Sequence, residues 1–221
     1  MRKLPGRLWR LPRHEDDEVA EEGIGRILAL SDGVFAIAPT LLVLEITVPA
    51  TTSDARLLKA LLGLWPRYIA YLLSFVVIAR FWVTHRLTFR LIGCGDDRLV
   101  WLNVLLLMFV AFLPFPTAVL EEHIRSPAAA VFYAISVLLA SLASAAWWYA
   151  SGRVRLLRPT VGRARARALR AQSLPVPVVY ALTLPVAVFA LYIAEAIWLL
   201  TFPLTQLVFV WFFAEVGEQH D

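Results

Sequence analysis

The sequence predicts an all-α, polytopic membrane protein with six transmembrane helices, and three observations carry that prediction. Hydrophobic residues make up 60% of the 221, charged residues 17%, and mean hydropathy is +0.69, far too apolar for a soluble domain of this length. Apolar runs recur at the length needed to cross a bilayer, where about 20 helical residues span the ~30 Å hydrocarbon core. The basic residues that raise the pI to 9.6 fall between those runs. That is a pattern of membrane orientation, and no nucleic-acid partner is expected from it.

Residues 1–25 read as a polar, solvated tail. They are basic at first, then acidic through Glu15, Asp16, Asp17, Glu18, Glu21 and Glu22. No apolar core precedes a small-residue cleavage site, so a signal peptide is not expected. The first span runs from Arg26 to Val48, with Ser31 and Asp32 near one end. An ionisable residue inside a span is costly unless it faces protein or water, which makes Asp32 a candidate functional residue. Ile37, Leu41, Leu44 and Val48 fall on one helical stripe, with Thr40 and Thr47 beside it. Such a stripe serves equally as a packing face or as the lining of an axis. Pro39 removes an N–H, frees the carbonyl of Phe35 and should kink the helix.

Pro49 ends this span, and Thr51 or Ser53 can cap a short amphipathic segment reaching Leu64. Its Leu57, Leu58, Leu61 and Leu62 form an apolar face, while Arg56 and Lys59 reach water or headgroups. The second span extends from Trp65 to Phe89, with Pro66 acceptable at its start and Trp82 and His85 near its end. A third, Leu99 to Val119, contains Asn103 and leaves through the proline-rich stretch Phe112 to Thr117. The fourth, Ala128 to Ser151, is rich in Ala and Ser, which permits close backbone approach. Gly152 to Ser173 is a loop with seven arginines and no acid, and the last apolar block, Leu174 to Ala214, holds two further spans with a turn expected near Glu195.

Six spans place both termini on one side. That side receives 17 of the 21 Lys and Arg residues; Arg56, Lys59, Arg67 and Arg125 fall on the other. The positive-inside rule therefore makes residues 1–25 and 215–221 cytoplasmic tails, flanking a transmembrane domain at 26–214 in the cell membrane. Glu45 lies near the opposite face, where a carboxylate can snorkel to the interface or attract cations.

Certain motifs carry a family resemblance. Arg26, Leu30, Ser31 and Asp32, followed by Gly33 to Ala38, resemble the Arg-x-x-x-Phe-Ser-Asp signature of the lysosomal potassium channel family (transmembrane protein 175), with Leu30 at the aromatic position. The second span shares the Trp-Pro opening, the Ala70, Tyr71, Ser74 and Phe75 centre and the Trp82, His85 close. Arg86 stands where the family often has a second His. Asn103 and the proline-rich exit extend the likeness through about the first 120 residues. The resemblance implies a homotetramer whose first helices line a central pore, a constriction at Ile37, Leu41 and Leu44, and a pore-lining Thr40. It also implies a structural polar cluster of Arg26, Ser31, Asp32, Trp82, His85 and Asn103, and a channel passing potassium ions with modest selectivity.

No nucleophile and base, metal-ligand spacing or phosphate loop is evident, so neither enzymatic activity nor a cofactor or resident metal is expected. The lone Cys94 excludes an internal disulfide and reads as an apolar filler. Two other function classes remain open from the residues alone. One is a proton- or cation-coupled secondary transporter using Asp32 and His85; the other is a non-conducting membrane scaffold.

Overall fold

The computed structural model describes residues 15–47, 50, 53–93, 97–151, 157–158, 174–190, 193–194 and 196–201, with side chains described from Gly23 onward. Cys94, Glu195, most of the arginine-rich loop and 202–221 lie outside the described residues.

Apart from one isolated bridge, every regular element among the described residues is a helix. The first, α1 (Glu15–Leu44), is already helical at Glu15, so the latter part of the polar tail at 1–25 is helical. Glu15, Asp16, Asp17 and Glu18 explain the early start, since carboxylates in a first turn oppose the positive end of the helix dipole. The helix remains continuous through Pro39. After it, α2 (Asp54–Gly63) buries none of its residues, and Leu58, Leu61 and Leu62 stay exposed, as fits a helix lying in a membrane interface.

The long helix α3 (Trp65–Phe89) follows with proline in its first turn. Next come α4 (Asp97–Phe112) and α5 (Pro114–Glu122), which abut at Leu113 and together make one stretch of spanning length, Asp97–Glu122. The proline-rich motif is thus an internal joint of the third span and not its exit. Pro114 and Pro116 lack N–H groups, so the i to i−4 ladder is interrupted there, while Leu113 keeps helical dihedrals and carries the chain onward. The helix α6 (Pro127–Ser151) completes four helices long and apolar enough to cross a membrane. The shorter α7 (Pro175–Phe189) is also apolar and contains Pro185.

Residues 193–201 are helical wherever described, and they fold back along α7. Trp198 donates from Nε1 to Thr183 Oγ1 at 2.7 Å and stacks on Tyr180 at 5.4 Å. These pairings centre the reversal near Ala190, where the backbone leaves helical geometry (φ −145°, ψ 64°). The break therefore falls ahead of the position expected at Glu195. Short-range signals could not place it, because it is set by the fit of Trp198 against Tyr180 and not by Gly or Pro.

The bundle is centred on α6, which packs against α3, α4, α5 and α7, while α1 packs against α3, α4 and α5. Small residues make this possible: Ala130, Ala134 and Ala140 on α6 are completely buried. Between lipid-like surfaces the hydrophobic effect does not drive helices together, so close van der Waals fit carries the association. At one end of the bundle Ile92 and Leu157 form an antiparallel bridge, and Arg158 N donates to Leu91 O at 2.9 Å. A Cβ at Gly93 would lie 3.2 Å from the Arg158 backbone, so glycine permits this approach.

Enlarging the α6 contact face should therefore destabilise the bundle. Ala134→Leu is expected to cost about 1 to 3 kcal/mol through overpacking. In detergent it should lower the thermal midpoint measured by size-exclusion recovery, while Leu139→Ala on the exposed side of α6 leaves it nearly unchanged.

Candidate functional site

The faces of α1 divide the candidate residues. Ser31, Phe35, Ala38 and Leu42 are buried against the bundle and recur at helical spacing. Ile37, Leu41 and Leu44 occupy the outward side and are 59%, 42% and 74% exposed. Thr40 is exposed beside them, and its hydroxyl donates to the carbonyl of Ile37 at 2.7 Å. That back-bond uses the only hydroxyl proton, leaving the oxygen's acceptor capacity unspent. Glu45 is exposed just beyond the end of α1.

On the buried side a hydrogen-bond chain crosses three helices. Ser31 Oγ donates to the Ile27 carbonyl at 2.8 Å, Asn103 Nδ2 donates to Ser31 Oγ at 3.0 Å, and His85 Nε2 lies 2.6 Å from Asn103 Oδ1. The donors fix one another. Once the serine proton goes to Ile27, the serine oxygen must accept from the asparagine amide. The asparagine oxygen then accepts from the imidazole, which carries its proton on Nε2. His85 Nδ1 is buried without a hydrogen-bond partner. The ring is enclosed by Phe35 and Phe89, with centroids 5.3 and 4.6 Å away, and stacks on Trp147 at 4.8 Å and 24°.

One residue further along α1, Asp32 turns to the exposed side. Its Oδ1 accepts from Trp82 Nε1 at 2.8 Å, and the guanidinium of Arg86 lies 5.4 Å from the Trp82 ring centre. Trp82 thus holds an acid at its edge and a base over its face, a cation–π arrangement. Ser31, Asp32, Trp82, His85 and Asn103 are accordingly brought together in two linked sets. Arg26 is not: it is exposed and forms no hydrogen bond or ion pair among the described residues. Its six-residue separation from Asp32 places it on a different face of the helix.

A second polar tie lies outside the residues singled out from the sequence as a cluster. Ser74 on α3 donates to Tyr133 Oη on α6 at 3.1 Å, and Thr117 Oγ1 on α5 lies 2.8 Å from both Ser74 Oγ and the Leu113 carbonyl. Buried hydroxyls inside apolar spans were the available signal for it. Trp147 offered none, since Trp147, Trp148 and Tyr149 are consecutive and the sequence does not say which of them turns inward. No group of His, Cys, Asp and Glu among the described residues is placed to hold a metal.

Residues 26–114 match a family model described as the endosomal/lysosomal potassium channel TMEM175. A potassium channel of Streptomyces collinus is 44% identical over 151 residues, covering 66% of this chain and 73% of that protein. The human endosomal/lysosomal proton channel TMEM175 is 28% identical over 163 residues, 72% of this chain but 32% of that longer protein. Among solved structures, the crystal structure of a lysosomal potassium-selective channel TMEM175 homologue from Chamaesiphon minutus aligns with a TM-score of 0.74 at 34% identity, covering 84% of this chain and 97% of that one. The motifs around Ser31 and Asp32, the helical architecture and these alignments agree: the chain belongs to the family of the endosomal/lysosomal potassium channel TMEM175.

Proposed function

We propose that the chain is one subunit of a potassium channel of the cell membrane, with six spanning helices, both termini cytoplasmic, and a pore walled by α1 from four copies. One observation carries the pore assignment. The stripe of Ile37, Leu41 and Leu44 is exposed on a helix whose opposite face is tied into the bundle. A second copy related by rotation would supply the missing wall, and closed symmetry makes such a ring self-limiting. The potassium channel among the relatives of high identity and the potassium-selective homologue with the same fold support the choice of ion.

Within that pore the three apolar rings form the constriction. An ion crossing them loses water and gains no polar ligand, a barrier of several kcal/mol that falls when the collar widens and wets. Thr40, between the Ile37 and Leu41 rings, presents an oxygen still able to accept. The sequence lacks the Thr-Val-Gly-Tyr-Gly carbonyl filter. Discrimination against sodium then rests on side chains at the collar and is modest. Ser31, Asp32, Trp82, His85 and Asn103 hold the pore helix in rotational register.

Asp32 and His85, both ionisable and both within candidate spans, favour a second reading as a proton- or cation-coupled transporter. Reconstitution into liposomes separates the two. Downhill potassium flux that needs no second gradient supports the channel; flux strictly tied to a proton or sodium gradient replaces it with a carrier, and silence of correctly assembled protein rejects both.

Ile37→Asn should wet the narrowest ring and raise basal flux at least tenfold, equivalent to removing ~1.4 kcal/mol of barrier. Potassium-to-sodium discrimination should fall with it, and Ile37→Phe should reduce flux. A tetrameric Ile37→Asn protein with unaltered flux and selectivity would move the conduction path to another face of α1. Asp32→Ala leaves the Trp82 indole without its acceptor, at ~1 to 3 kcal/mol. It should lower the yield of assembled tetramer in size-exclusion chromatography more than it alters ion preference. Normal assembly with changed preference alone would transfer Asp32 to the ion path.

A further inference from the structure

Arg80 lies in the second half of α3, inside a candidate spanning helix, yet forms no ion pair or hydrogen bond among the described residues, and its Nε is buried without a partner there. A guanidinium cannot shed its charge. In a bilayer it therefore needs an anion or water, and long basic side chains reach for the headgroup region to find one. Phe89 ends the helix nine residues later, about 13 Å at 1.5 Å per residue, so an extended arginine approaches the polar boundary of the nearer leaflet.

The side chain lines a crevice bounded by Thr84 on the same helix, Ser141, Ser144 and Trp148 on α6, and the start of α7. The centre of a water-sized sphere has about 30 Å³ of room there, more than the ~10–15 Å³ that holds a single water. Its donors are few and specific. Thr84 and Ser141 spend their protons on carbonyls of their own helices, at 2.8 Å to Arg80 O and 2.8 Å to Leu138 O. The hydroxyl of Ser144 makes no such bond among the described residues. Pro175 and Pro177 have no N–H, so the start of α7 is a wall and contributes few donors. No acidic residue among the described residues lines the crevice, so the charge there is that of Arg80.

We propose that this crevice binds the phosphate of an anionic phospholipid from the leaflet at the Phe89 end of α3, with Arg80 as counter-ion and Ser144 as the second donor. Arginine suits the task because its fork offers parallel N–H groups to two phosphate oxygens. The crevice is bounded by α3, α6 and α7, and no residue of α1 lines it. The assignment thus depends on membrane placement and not on the conduction path.

Native mass spectrometry of protein released from phosphatidylglycerol nanodiscs tests it. The wild type should retain one phosphatidylglycerol per chain. Arg80→Gln should reduce that occupancy at least tenfold, Arg80→Lys should retain an intermediate amount, and phosphatidylcholine should not substitute. Ser144→Leu fills the crevice with Arg80 left intact and should also lose the lipid, which decides the matter if Arg80→Gln does not fold. Adding inorganic phosphate to the phosphatidylglycerol sample should leave occupancy unchanged; displacement by phosphate would make the ligand a free anion and overturn the lipid assignment. Equal retention by wild type, Arg80→Gln and Ser144→Leu, or no retention by the wild type, would overturn the site itself.

Discussion

The relay from His85 through Asn103 to Ser31 is the interaction on which the arrangement of α1 depends. In hydrocarbon a polar side chain has no water to fall back on, so each of these three groups must be answered by another helix. The relay has a single self-consistent set of proton positions, and it joins α1, α3 and α4. Rotating α1 by one residue would withdraw Ser31 and bring either the apolar Leu30 or the charged Asp32 toward the Asn103 amide. That penalty fixes which face of α1 is buried and, with it, which face is left outward.

The remaining ties follow the same logic at other depths. Ser74, Thr117 and Tyr133 join α3, α5 and α6, and Trp198 clasps Thr183 where the chain folds back after α7. Each tie sits where alanines or a break in the helix bring backbones close enough for short hydroxyl side chains to meet. Packing and polar satisfaction are therefore coupled: small residues set the distances at which the hydrogen bonds can form.

Composition and run length made the membrane-spanning helices legible, since twenty apolar residues have few alternatives. The motif around Ser31 and Asp32, and its partners Trp82, His85 and Asn103, could also be picked out, because polar groups in apolar runs are conspicuous. The rest was hidden for physical reasons. The reversal near Ala190 is specified by a tryptophan fit between distant residues. The prolines at 114 and 116 read as a helix end, although neighbouring helices support continuation through them. Arg26 shares a motif with Ser31 and Asp32 yet points elsewhere, because sequence proximity does not survive a helical turn. Trp147, stacked on His85, was indistinguishable from its exposed neighbour Tyr149 without knowing which way α6 faces.

The early start of α1 has a mechanical consequence. Thirty residues of continuous helix measure about 45 Å, well beyond the ~30 Å hydrocarbon core, so an acidic arm extends α1 on the Glu15 side. A rigid arm of that kind converts a sideways push at its tip into a tilt or twist of everything further along it. Gly23 and Gly25 flank Ile24, the first described side chain packed against the bundle, and the space where a side chain would sit is open at both. Glycine weakens a helix by roughly 1 kcal/mol relative to alanine. Compliance in the arm is therefore concentrated about two turns ahead of the Ser31 anchor.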